Sequence, residues 1–151
     1  MAQEEYLKGK DVLLYKYNVI DEDWEPVACA TSNTFGVTTN FIESITKCDT
    51  ATRVLPTFNT VSASVDLIIS TVASNQTGKV YYNDLRDQQR LNEKTWFAFL
   101  SDEVTNKTIE EYFEAYIESI DVTAERESNV EASVSFRVDG DSSSTDPFAT
   151  T

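Results

Sequence analysis

Hydrophobic and polar positions alternate along much of this chain with a period of two, the pattern of strands with one covered face. The clearest case spans residues 61–69. There Val61, Ala63, Val65, Leu67 and Ile69 fall on one side, and Ser62, Ser64 and Asp66 on the other. Residues 130–138 alternate as strictly, with Glu131, Ser133 and Ser135 on the polar parity. Such regularity predicts a sheet with one buried and one wet face. A first strand over 12–17 is nearly continuously apolar. Another over 95–100 carries Trp96, Phe97, Phe99 and Leu100 on both parities. Both are expected to be covered on two sides. A long strand over 112–124 changes phase. Phe113, Ala115 and Ile117 share one parity, whereas Ile120, Val122 and Ala124 share the other. The slip near Glu118-Ser119 predicts a bulge or bend. Ile109, Phe113 and Ile117 are also spaced for a helix, but the Tyr, Phe and Ile content favours a strand.

One stretch breaks the period of two. Residues 82–90 predict a helix, with Asn83, Asp84 and Asp87 near its start and Arg86 and Arg90 towards its end, the order that the helix dipole favours. Its apolar stripe is narrow (Tyr81, Leu85 and Gln88 or Gln89), so it must lie on a sheet to be stable. Asn92-Glu93-Lys94 is expected to end it.

The connections follow from turn chemistry. Residues 18–25 form an acidic turn, 75–78 a turn with Gly78, 102–108 a polar loop, and 126–129 a hairpin turn. A second strand is expected from Val27 to about Val37, with a reversal at Thr38-Thr39-Asn40 and a returning segment over 41–47. Residues 31–56, rich in Thr, Ser and Asn, read as a long hairpin or extended loop that ends at Leu55-Pro56-Thr57. Residues 1–10 are expected to form an arm, 11–138 one domain, and 139–151 a tail. The sum is a mainly β fold: a two-sheet β-sandwich or half-barrel with one flanking α-helix, a long hairpin loop and flexible termini.

Charge and composition narrow the function. The formal net charge is −14, and residues 101–151 carry 13 acids against 3 bases. The basic footprint of a nucleic-acid grip is missing. There is no His, which removes Ser-His and Cys-His nucleophilic sites and most zinc sites. Gly9, Gly36, Gly78 and Gly140 are too far apart to cradle a phosphate. Asp139-Gly140-Asp141 lacks the remaining features of a calcium loop. Pairs such as Glu110 and Glu111, or Glu114 and Glu118, read as solvated faces. Tyr81, Tyr82, Tyr112 and Tyr116 read as core or interface. No catalytic, metal or cofactor residues are assigned. No apolar run approaches membrane-spanning length, so no membrane partner is expected. The first ten residues lack the apolar core of a signal peptide. Cys29 and Cys48 are therefore expected as free thiols, buried as small hydrophobes.

In order along the chain stand Gly9-Lys10-Asp11-Val12-Leu13-Leu14-Tyr15, Trp24-Glu25-Pro26-Val27-Ala28, Ala30-Thr31-Ser32-Asn33-Thr34-Phe35 and Ile42-Glu43-Ser44-Ile45-Thr46-Lys47. Leu55-Pro56-Thr57 and Tyr82-Asn83-Asp84-Leu85 follow. In this order and spacing, over roughly residues 9–138, the chain resembles phage major tail tube proteins, including those of gene transfer agents, and more distantly the type VI secretion tube protein. It departs from them after the helix, where Asn92-Glu93-Lys94 replaces the usual glycine.

The resemblance implies a structural, non-enzymatic virion protein without cofactors, assembled in the host cytoplasm. Its expected partners are further copies of itself, in hexameric rings stacked into a tube, and the other tail proteins: tape measure, terminator, and baseplate or tip. The resemblance further implies that DNA passes through an electronegative lumen without specific binding. The lumen-lining candidates are Ser62, Ser64, Asp66, Glu131, Ser133 and Ser135. The candidates for contacts between subunits and rings are Phe35, Thr38, Phe41, Ile45, Leu55, Arg86, Asp87 and Arg90. The alternatives are a tail terminator or tube-initiating protein of the same fold, and a standalone carbohydrate-binding or adhesion sandwich.

Overall fold

The computed structural model describes residues 9, 12–44, 50–69, 79–101 and 109–148. The elements in order are β1 (Val12–Asn18), β2 (Asp23–Pro26), β3 (Ala30–Ser44), β4 (Arg53–Ile68), α1 (Tyr82–Leu91), β5 (Thr95–Ser101), β6 (Glu110–Thr123) and β7 (Glu131–Ser143). The chain is mainly β with one helix, as its patterning predicts.

The seven strands form one antiparallel sheet in the order β2-β1-β5-β6-β7-β4-β3. This corrects the two-sheet expectation. Alternation shows which face of a strand is covered, but not whether strands around one core share a hydrogen-bonded ladder. The single sheet curls instead. β1 and β3 stand five places apart in strand order, about 24 Å in a flat sheet. Yet Asn33 Nδ2 of β3 donates to the Val12 carbonyl of β1 at 3.2 Å. The sheet therefore bends round until its ends nearly meet, as an unclosed half-barrel.

The main core fills the inside of this bend. It joins Leu14, Val65, Leu67, Phe97, Phe113, Val134 and Phe136 to Leu85 of α1. Leu85 and Gln88 are the buried helix residues, which fits the narrow stripe. The Asp84 carboxylate accepts the Tyr81 N–H at 2.9 Å and caps the helix start. At the other end Asn92 takes the left-handed conformation (φ 52°, ψ 42°), the role a glycine usually fills. The Asn92 and Glu93 N–H groups then return to the Gln89 and Gln88 carbonyls. Asn92→Gly is expected to keep or raise the melting temperature, whereas Asn92→Ala should lose about 1 kcal/mol. Equal melting curves for the two variants would show that this cap is not formed.

β5 is covered on both faces, as expected. Its second face belongs to a smaller cluster of Ala98, Leu100 and Tyr112, packed by Tyr15, Trp24 and Trp96. The cover comes from the C-terminal segment. Phe148 stacks on Tyr17 with ring centroids 3.7 Å apart, and Trp24 Nε1 donates to Asp146 at 3.1 Å.

Five local expectations change. Cys29 is exposed, not buried, and its φ of 61° separates β2 from β3 where one strand from Val27 was expected. β3 runs straight through Thr38-Thr39-Asn40, with Thr38 opposite Thr60 and Thr39 opposite Asn59. The Leu55-Pro56-Thr57 stretch lies inside β4 rather than at its start. β7 continues past Val138 to Ser143. The phase slip of β6 is present as a register shift between Ile117 and Ser119. The turn at 75–78 and the loop at 102–108 lie outside the described residues.

Candidate functional site

The register of β4 against β7 sets Ser62 opposite Arg137, Ser64 opposite Ser135, Asp66 opposite Ser133 and Ile68 opposite Glu131. Directly opposed residues of an antiparallel pair share a face. Hence Ser62, Ser64, Asp66, Ser133 and Ser135 lie together, and Glu131 continues their row. Ser133 Oγ donates to Asp66 Oδ1 at 2.6 Å. The reverse face holds Val65 and Val134, 1% and 0% exposed. Two alternating strands far apart in sequence thus present one polar surface.

That surface is wider than the sequence shows. β3 adds Ser32, Thr34, Gly36 and Thr38, opposite Asp66, Ser64, Ser62 and Thr60. β6 adds Asp121 opposite Ser133 and Ser119 opposite Ser135. The Thr-rich run of β3 resembles loop composition, and the β6 contribution depends on a bulge that moves its parity. The surface is a four-stranded patch, β6-β7-β4-β3, of small hydroxyl side chains with acids among them. Its Arg137 lies 3.6 Å from Glu118, so Asp66, Asp121 and Glu131 carry the balance towards negative.

The patch ends in two open edges. Among the described residues, β3 pairs only with β4, and β6 beyond Ala115 pairs only with β7. Past Thr39 a register shift leads into an arm formed by the far halves of β3 and β4. Polar bonds stitch it: Asn40 Nδ2 donates to the Phe58 carbonyl at 3.0 Å and to Thr60 Oγ1 at 2.8 Å. Yet its apolar side chains are bare. Phe41, Ile42, Val54, Leu55 and Phe58 are all more than half exposed, which marks a contact surface rather than a free one.

The remaining contact candidates separate. Thr38 is exposed on the polar face. Phe41 and Leu55 are on the arm, and Ile45 lies outside the described residues. Phe35 turns into its own core, with ring centroids 5.7 Å from Phe99 and 5.6 Å from Phe113. On α1, Arg90 binds Asp87 at 2.9 Å and Arg86 donates to Gln89 at 3.0 Å, so the outer face of the helix is tied within itself. Beside α1, burial lowers the Lys16 pKa, while Asp84 and Glu25 act to raise it. Burial and then the bond to Glu110, 2.6 Å long, raise that of Tyr112. Neither group forms a reactive constellation, and among the described residues no acidic or sulfur cluster is suited to a metal ion.

No family model matches this sequence, and no curated protein matches it either. Solved structures do. The tail of an empty gene transfer agent particle, refined with C6 symmetry, superposes with a TM-score of 0.73 at 14% identity over 93% of this chain and 100% of that one. The virion of a native gene transfer agent particle gives the same values. The SPP1 tail tube superposes with a TM-score of 0.67 at 18% identity, over 93% of this chain and 80% of that one. The chain has the phage tail tube fold.

Proposed function

We propose that this chain is the structural subunit of a phage or phage-like tail tube. Copies join edge to edge into a hexameric ring, rings stack, and DNA passes through a lumen lined by the polar patch. The observation that carries this reading is the β6-β7-β4-β3 patch with its two open edges. Its four strands alternate in direction, so β3 runs opposite to β6. When one copy is rotated onto the next, the β3 edge meets the β6 edge antiparallel, and the pairing repeats until the ring closes. The related gene transfer agent tail has C6 symmetry, which supports six copies. The role requires no catalysis and no cofactor. Tape measure, terminator, and baseplate or tip proteins would meet the tube's interior and ends.

An acidic, hydroxyl-rich wall suits passing DNA. Each Lys or Arg that neutralised a phosphate would release counterions and hold the strand. Asp66, Glu131, Ser62, Ser64, Ser133 and Ser135 form such a wall without a grip. Asp66→Lys with Glu131→Lys is expected to leave tubes intact in negative-stain images and to lower DNA delivery at least tenfold. Normal delivery by tubes made of that variant would remove these residues from the lumen. Wild-type protein that forms no rings or tubes at any concentration, even with the tail initiator present, would overturn the tube reading.

A further inference from the structure

The turn between β1 and β2 is built unlike an ordinary surface turn. Its tip exposes Val19 and Ile20, which are 74% and 91% accessible. Turn tips normally carry polar residues that water solvates. This tip is also held stiff. Asn18 Oδ1 accepts the Ile20 N–H at 3.0 Å and the Asp21 N–H at 3.3 Å. Asn18 Nδ2 donates to Asp21 and to Glu25, each at 3.1 Å. Two aliphatic side chains are thus fixed outward on a braced turn, at no benefit to the isolated chain.

At the opposite end of β1 lies a cavity of about 720 Å³ in the seam where β3 approaches β1. Val12, Leu13, Ala30, Phe99 and Ile109 line it, with Thr31, Ser32 and Asn33 on its polar side, where the Thr31 hydroxyl donates to the Asp66 carbonyl at 3.2 Å. Cavities of this size accept whole ligands, so it has room for a Val-Ile pair. Knob and cavity are separated by the seven residues of β1, about 20 Å of strand. A protein with a projection at one end and its receptacle at the other stacks head to tail without closing, which is the geometry of an open filament.

We propose that Val19 and Ile20 of one copy insert into the β1–β3 seam cavity of a second copy in the next ring. The knob supplies the apolar centre of the contact. The carboxylates of Asp21, Glu22 and Asp23 beside it meet the polar rim, where Ser32 carries a hydroxyl, the usual division of an interface into dry centre and polar edge. This rests on the tube reading and assigns a ring-to-ring contact separate from the edge pairing within a ring.

The test is the full chain with Val19→Asp and Ile20→Asp, both at exposed positions that leave the core untouched. Rings should persist, while mean tube length in negative stain falls at least tenfold. In a second chain, Ile20→Cys is paired with Thr31→Cys after Cys29→Ser and Cys48→Ser. Oxidation of assembled tubes should give a ladder of linked chains that neither single cysteine gives. Double-Asp tubes of wild-type length, or assembled double-Cys tubes without a ladder, overturn the contact and leave the tube reading intact. Wild-type protein that makes no tubes overturns both.

Discussion

Phe113→Ala is expected to remove about 3–5 kcal/mol of folding stability, the cost of deleting a buried aromatic ring and leaving its cavity. Domains of this kind are stable by only about 5–15 kcal/mol, so the loss takes a substantial fraction of the total. The position explains the size. Phe113 is 0% exposed and stands on β6, which joins β5 on one side to β7 on the other. Its ring lies 6.0 Å from Phe97 of β5 and 5.6 Å from Phe35 of β3, so it ties the β3 end of the curled sheet to its middle through the interior. Phe148, 39% exposed on the other aromatic face, is the matched control, and Phe148→Ala should cost about 1 kcal/mol. Urea denaturation followed by circular dichroism measures both. A loss below about 1 kcal/mol for Phe113→Ala would mean that the curled core is not formed in solution.

Much of this architecture was legible in the chain, and the limits have physical causes. The faces of 61–69 and 130–138 follow from parity alone, because a strand has only two faces and one is dry. The bulge of β6 was legible for the same reason. The pairing of strands was not, since alternation says nothing about which strand lies beside which. That gap hid both the single sheet and the breadth of the polar patch. Thr38-Thr39-Asn40 misled because Thr and Asn favour turns when their side chains bond to nearby backbone. Here they bond across the ladder instead: Thr39 Oγ1 donates to Asn59 at 2.9 Å, and Asn40 donates to Thr60. The resemblance names Phe35 as a subunit-contact candidate, yet its ring packs against Phe99 and Phe113 in the core. The aromatics on both faces of β5 announced a second cover. Nothing local identified Asp146 and Phe148 as that cover.

Proline on the outer edge of β3 is expected to abolish ring formation while leaving the subunit folded. β3 is 15 residues long and contains no Pro, Lys or Arg, with Glu43 as its one charge. Solitary proteins guard such edges with proline, charge or short length, because an unguarded edge recruits other chains. On an edge strand, successive N–H groups point alternately inward to the neighbouring strand and outward. Of Thr38→Pro and Thr39→Pro, both at exposed positions, one therefore removes a bond to β4 and the other an N–H on the free side. The first should lower the melting temperature of the monomer. The second should leave it nearly unchanged, yet cost each joint of the proposed ring a hydrogen bond and strand its acceptor. That is about 2 kcal/mol, or roughly thirtyfold in each association step, and a closed ring incurs it at every joint. Sedimentation velocity at matched concentration separates folded monomer from ring. If both variants assemble into rings like the wild type, β3 is not the joining edge, and the ring must close through the exposed arm or the helix instead.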